Sequence, residues 1–146
     1  MTPSLTGLSH LSLSVPDLAA AVDFWVGVFG FEPLNDDPRF QFLLHRQARL
    51  AVIVTDHGGA VTGQFDEGNP GLDHLALAVG DTAILRQWQA ELNKRKIINS
   101  GIVESDAGHQ LNLRGPDSLP IELFVLNDET AEGLGLRDAP FAMSHR

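Results

Sequence analysis

A chain of 146 residues, 43% hydrophobic and 20% charged, has the size and composition of one well-packed domain or of two small modules sharing a core. Its formal charge of −9 argues against a nucleic-acid partner, which calls for clustered Lys and Arg, and its lack of cysteine excludes disulfides, thiolate metal ligands and cysteine nucleophiles. No apolar run approaches the roughly 20 residues of a membrane span, and the N-terminus carries no basic stretch leading into an apolar core, so no membrane partner is expected and the cytoplasm is the expected compartment.

In chain order, the first strand is expected over Gly7–Val15 and ends at Pro16. Asp17 is placed to cap the next helix, where Leu18, Val22, Trp25 and Phe29 recur at helical spacing and Gly30 suits the left-handed closing position. Three short strands follow: Phe31–Leu34, broken by Asn35-Asp36-Asp37-Pro38, then Phe40–His45 and Leu50–Thr55. A Gly-rich linker over 58–70 separates the halves. The pattern restarts at Gly71, with Asp81 capping a helix over Ala83–Arg95 that buries Leu85, Trp88 and Leu92. Strands are expected near Ile97–Val103 and Gln110–Arg114; the turn Gly115-Pro116-Asp117 leads to a last strand, Pro120–Leu126. The tail over 127–146 has scattered apolar residues and no period, and reads as a docked arm, a lid or a partly disordered end. The expected organisation is a single domain over 1–146, with one module at 5–57 and a second at 71–126.

The two halves are copies. Gly7-Leu8-Ser9-His10-Leu11-Ser12-Leu13-Ser14-Val15-Pro16-Asp17 is echoed by Gly71-Leu72-Asp73-His74-Leu75-Ala76-Leu77-Ala78-Val79-Gly80-Asp81, with Gly, Leu, His, Leu, Leu, Val and Asp in the same places. Strand alternation puts Leu11, Leu13 and Val15 on one face and His10, Ser12 and Ser14 on the other; Leu75, Leu77 and Val79 likewise oppose His74, Ala76 and Ala78. Each copy therefore has an apolar packing face and a face of small residues with one histidine, which suits the wall of a cavity. In the last strand Glu122 lies between Ile121 and Leu123, so the same alternation leaves it on the face opposite the packing side, where a carboxylate is costly unless paired or metal-bound. His10, His74 and Glu122 make a 2-His-1-carboxylate set, which holds a divalent ion and leaves positions open for substrate. Hydrogen-bonded core histidines beside an edge glutamate are the structural alternative.

These motifs resemble the vicinal oxygen chelate superfamily, which holds glyoxalase I, extradiol dioxygenases, fosfomycin-resistance enzymes, methylmalonyl-CoA epimerase and bleomycin-resistance proteins. The resemblance rests on the two Gly-Leu-x-His-Leu-x-Leu-x-Val-x-Asp runs, on Phe24-Trp25 with Gly30-Phe31, and on Gly115-Pro116-Asp117 leading to Ile121-Glu122-Leu123. It implies an α+β fold of paired βαβββ modules whose mixed sheets curl into a cup, helices outside, around a divalent metal (Fe2+, Mn2+, Ni2+ or Zn2+) bound by His10, His74 and Glu122. It also implies a homodimer, with metal ligands from one chain or two. The glyoxalase I pattern adds a ligand that here falls at Ile53 or Val54, neither of which binds metal, with Asp56 as the nearest carboxylate. The tyrosine of dioxygenases and fosfomycin thiol transferases is replaced by Asn112, and the dioxygenases' supporting histidine by Val103; the chain has no tyrosine.

Beyond the metal set, His109 is a candidate base or substrate contact, Arg114 a candidate for an anionic group, and Asn112 a candidate by position. His45, His57 and His145 read as surface residues, and Trp25 and Trp88 as helix-to-sheet packing. The resulting expectation is a metal-dependent enzyme that chelates neighbouring oxygens of a small substrate, with dioxygenase-like or lyase/transferase-like chemistry. The alternative is a bleomycin-resistance-like protein that sequesters a ligand or drug without turnover.

Overall fold

The computed structural model describes residues 1–136, and the chain divides into two compact units, one ending at Gln64 and the other starting at Phe65. Both are built alike. The first unit runs β1 (Leu11–Ser14), α1 (Leu18–Phe29), β2 (Glu32–Pro33), β3 (Phe40–His45) and β4 (Leu50–Thr55), its sheet ordered β1-β4-β3-β2. The β1–β4 pair is parallel and the other two are antiparallel. The second unit runs β5 (Leu75–Ala78), α2 (Thr82–Lys94), β6 (Asn99–Ser105), β7 (Gly108–Arg114), β8 (Pro120–Leu126) and α3 (Asp128–Gly133), in the order β5-β8-β7-β6. Again the first strand pairs parallel to the last, so the sequence repeat is a topological repeat of two βαβββ modules.

The helices form where the sequence caps them. Asp17 accepts a hydrogen bond from the Ala20 amide at 2.9 Å, and Asp81 accepts one from the Ile84 amide at 2.8 Å. Gly30 closes α1 at φ 75°, a conformation that costs a Cβ-bearing residue. Ala21, Trp25 and Phe29 are the buried stripe of α1, while Leu18 and Val22 are only half-buried. Trp25 stands edge-on to Phe31 at 5.2 Å and packs with Phe29 at 5.5 Å. Beneath the helix lie Leu13, Leu43, Val52 and Val54, paired across strands. In the second unit Leu85 and Leu92 are fully buried, with Trp88 half-buried, over Leu111, Leu113, Ile121 and Leu123. Each sheet thus has one helix-covered face and one face without a helix laid across it, here called the open face.

Several boundaries differ from expectation. The strands expected from Gly7 and Gly71 begin only at Leu11 and Leu75, because the ladders start at Leu11↔Val52 and Leu75↔Ile121 and both glycines have positive φ. His10 and His74 therefore stand one residue before their strands. The expected helix over Ala83–Arg95 is shifted by one residue, and β6 starts two residues later than expected, after the turn at Lys96. Part of the tail is ordered: Asn127 caps α3 through the Thr130 amide at 2.8 Å, and Ala131 packs on Leu126, Phe124 and Ala107. The rest of the expected tail, 137–146, lies outside the described residues. Among the described residues no helix is long and apolar enough to cross a membrane.

Candidate metal centre

Glu122 sits in mid-β8 between buried Ile121 and Leu123, which pack under α2. Alternation turns its carboxylate to the open face, where its register neighbours are Ala76 on β5 and Asn112 on β7. Alanine on one side leaves room beside the carboxylate. Glu122 is half-buried and, among the described residues, its carboxylate accepts no hydrogen bond.

His74 lies at the start of the neighbouring strand on the same face as Ala76, and the Glu122 charge reaches it. Its Nδ1 stands 2.6 Å from Asp73 Oδ2. That hydrogen bond is the main cause of a His74 pKa above the ordinary imidazole value; burial opposes it, and the charges of Glu122 and Asp73 add to it. The first module repeats the device with a different group: His10 Nδ1 lies 3.1 Å from Ser9 Oγ. In both copies the residue preceding the histidine occupies Nδ1, and Nε2 is the nitrogen left for a ligand. Ser9 and Asp73 differ between the copies and so fall outside the repeat's identical positions, although each repeat has a polar residue at that place.

The remaining candidates separate by face. Asn112 is directly opposite Glu122; its amide nitrogen and Nδ2 donate to Ser100 Oγ at 3.0 and 3.4 Å. Arg114, on the same face, is held by Glu67 at 2.5 Å and by the Ser118 carbonyl at 2.9 Å. His109 pairs with Val125 and shares the helix-covered side with Leu111 and Leu113, turned away from Glu122. A hollow of about 810 Å³ is lined by His74, Lys96, Ser100, Asn112, Arg114 and Ile121, among others.

In the first unit the position left between Ile53 and Val54 resolves to Ile53: it pairs with Ser12 on the open face, whereas Val54 is fully buried under α1. Asp56 accepts from the Gly58 amide at 2.9 Å and shapes the turn. One surface assignment needs correction. His45 is half-buried, 5.3 Å from the Phe31 ring, and accepts from the Ala48 amide at 3.0 Å, because alternation places it on the helix side with Leu43. His57 is exposed, as expected, and lies 3.1 Å from Ser14 Oγ, at the far end of the face that carries Ser12. His145 falls outside the described residues. Val103 on β6 is exposed and pairs with Gln110.

His74 and Glu122 belong to the second unit and His10 to the first. Among the described residues of the single chain, no three His, Cys, Asp or Glu side chains are gathered as a metal-holding group. The donor set nevertheless suits a divalent ion in kind: two imidazoles with Nδ1 occupied, and a half-buried carboxylate without a hydrogen-bond partner among the described residues.

With that geometry in place, the family is clear: the chain belongs to the glyoxalase/bleomycin resistance protein/dioxygenase superfamily, whose model matches residues 7–123. The chain is similar to a glyoxylase/bleomycin resistance protein/dioxygenase domain from Frankia sp. EAN1pec, at 27% identity and a TM-score of 0.77, over 85% of this chain and 100% of that one. Two further solved structures share the fold. A lactoylglutathione lyase from Agrobacterium tumefaciens is 20% identical with a TM-score of 0.68, over 84% of this chain and 95% of that one. TnmS3, an antibiotic binding protein from Streptomyces sp. CB03234, is 23% identical with a TM-score of 0.66, over 86% of this chain and 100% of that one. No curated protein matches the chain.

Proposed function

We propose that the chain is a divalent-metal-dependent enzyme whose metal is held by His10, His74 and Glu122 and chelates two neighbouring oxygens of a small substrate. The observation that carries this reading is Glu122: a half-buried carboxylate on an open sheet face, without a hydrogen-bond partner among the described residues and within electrostatic reach of His74. A carboxylate so placed is available to ligate a divalent cation. When bound, Fe2+, Mn2+, Ni2+ or Zn2+ would supply Lewis-acid stabilisation of negative charge developing on the substrate oxygens.

The chain's own residues do the rest. Asn112, beside Glu122, presents an amide to a substrate oxygen and is steadied by Ser100. Arg114, already held by Glu67, sets the charge at the rim of the hollow. His109 faces the other side of the sheet and has no part in this scheme. With Ile53 in place of a further ligand, three protein ligands leave positions for a bidentate substrate, which favours dioxygenase- or lyase/transferase-like chemistry over four-ligand isomerisation. The working unit is proposed to be a cytoplasmic homodimer of single-domain chains, each with modules 5–57 and 71–126 joined by 58–70, with His10 supplied by the same chain or by the second copy.

A second reading is ligand sequestration without turnover, favoured by the 810 Å³ hollow and its partly apolar lining of Ile97, Ile98 and Ile121. Assaying catechols, 2-oxo-aldehydes and epoxides with metal-loaded protein separates the two. Turnover that disappears in Glu122→Ala supports the enzyme. Ligand binding with no turnover, and unchanged in Glu122→Ala, supports sequestration.

A further inference from the structure

The two copies of the repeat present their histidines differently. Asp73 and Ser9 hold equivalent places, one residue before His74 and His10, and each contacts the Nδ1 of the following ring, at 2.6 and 3.1 Å. An ionised carboxylate only accepts hydrogen bonds, so the contact with Asp73 requires a proton on Nδ1. In neutral His74 that leaves Nε2 as the unprotonated nitrogen. A hydroxyl both donates and accepts, so Ser9 is satisfied by either tautomer of His10. The carboxylate bond is also charge-assisted and shorter, and it makes the ring a stronger electron donor.

We infer that Asp73 is a positioning residue: it locks His74 in the Nδ1–H tautomer, aims Nε2 as the ligating nitrogen, and makes His74 the anchoring ligand of the metal site, while Ser9 leaves His10 the weaker one. This rests on the metal reading above and adds an order to its ligands. It also assigns work to the one polar difference between the copies next to the histidines.

The test uses the full-length protein and has two readouts. Long-range ¹H–¹⁵N spectra of histidine-labelled, metal-free protein, recorded at a pH above the imidazole titration, report the tautomer of each ring. His74 is expected as Nδ1–H alone and His10 as a mixture of both forms. Asp73→Ala, at a side chain that is 78% exposed and so free to change without disturbing the core, turns His74 into a mixture and leaves His10 unchanged. Ser9→Asp converts His10 to the single form. Competition of Zn2+ against a chromogenic chelator supplies the second readout. Asp73→Ala is expected to weaken Zn2+ binding about 10–100-fold, the range typical of lost outer partners, and Ser9→Ala to weaken it less. Zn2+ binding that Asp73→Ala leaves unchanged, or a His74 tautomer that does not respond to it, overturns the inference while the metal site stands. Wild-type protein that binds no Zn2+ overturns the metal reading itself, and the role of Asp73 with it.

Discussion

At the scale of single residues, the decisive property is which atoms already have partners. The Arg114–Glu67 pair shows how a charge near the hollow is fixed in advance: hydrogen bonding to Arg114 is the main reason that the Glu67 carboxyl is lowered to about 2. Because its folded pKa is depressed, the pair contributes above the ordinary carboxylate value of 4.5 and fades as pH falls toward about 2. Comparing urea midpoints of the wild type and Glu67→Gln across pH checks this. Their difference should be constant at neutral pH and shrink only on acidification; a difference that grows as pH falls would contradict it. The pair is solvent-exposed, so the difference should be small and should fall with added salt. The Asp37 carboxyl, lowered to about 2 chiefly by its hydrogen bond to the Arg39 side chain, follows the same rule at the surface of the first unit.

At the scale of elements, one glycine and two capping residues mark what the strands and helices tolerate. Gly108 opens β7 so close to β8 that a Cβ there would stand 1.9 Å from the Val125 carbonyl oxygen. Gly108→Ala must therefore push the hairpin from its partner and should cost about 1–3 kcal/mol or more by thermal or urea unfolding. Asp17→Ala and Asp81→Ala each remove an N-cap and should cost about 1 kcal/mol. If Gly108→Ala proved neutral, the close approach of the two strands would be wrong.

The elements also show what the sequence made readable. The bounds of α1, β3, β4 and β8 agree with those expected, because Asp17, Gly30, the Asn35–Pro38 break and the Gly115–Asp117 turn punctuate them. β1 and β5 start later than their sequence patterns suggest because a strand extends only where a neighbour pairs with it, and pairing with β4 and β8 begins only at Leu11 and Leu75. Six residues of α3 are too few to show a helical period. Alternation placed Glu122 on the open face, and the same parity, counted from Leu111 and Leu113, would have turned His109 to the helix side. The contacts of His57 with Ser14 and of His45 with Phe31 span 43 and 14 positions of sequence, where no local pattern speaks.

At the scale of the whole molecule, duplication explains the economy of the design. Two copies of one βαβββ unit each present a histidine at the head of their first strand, and only the second copy adds a carboxylate, Glu122, on its last. The corresponding place in the first copy, Ile53, is apolar. The proposed centre thus takes one ligand from the first module and two from the second. Mixing His10→Ala with Glu122→Ala protein probes this division: if ligands are shared between copies of the chain, the mixture regains metal binding that neither variant has alone, and if one chain supplies all of them it regains none.

The most direct test of the central claim is the metal content of untagged protein by elemental analysis, beside His10→Ala, His74→Ala and Glu122→Ala. The account predicts about one equivalent of a divalent transition metal per chain in the wild type, lost or greatly reduced in all three variants. Wild-type protein that holds no metal even after reconstitution, or variants that hold as much as the wild type, would contradict it.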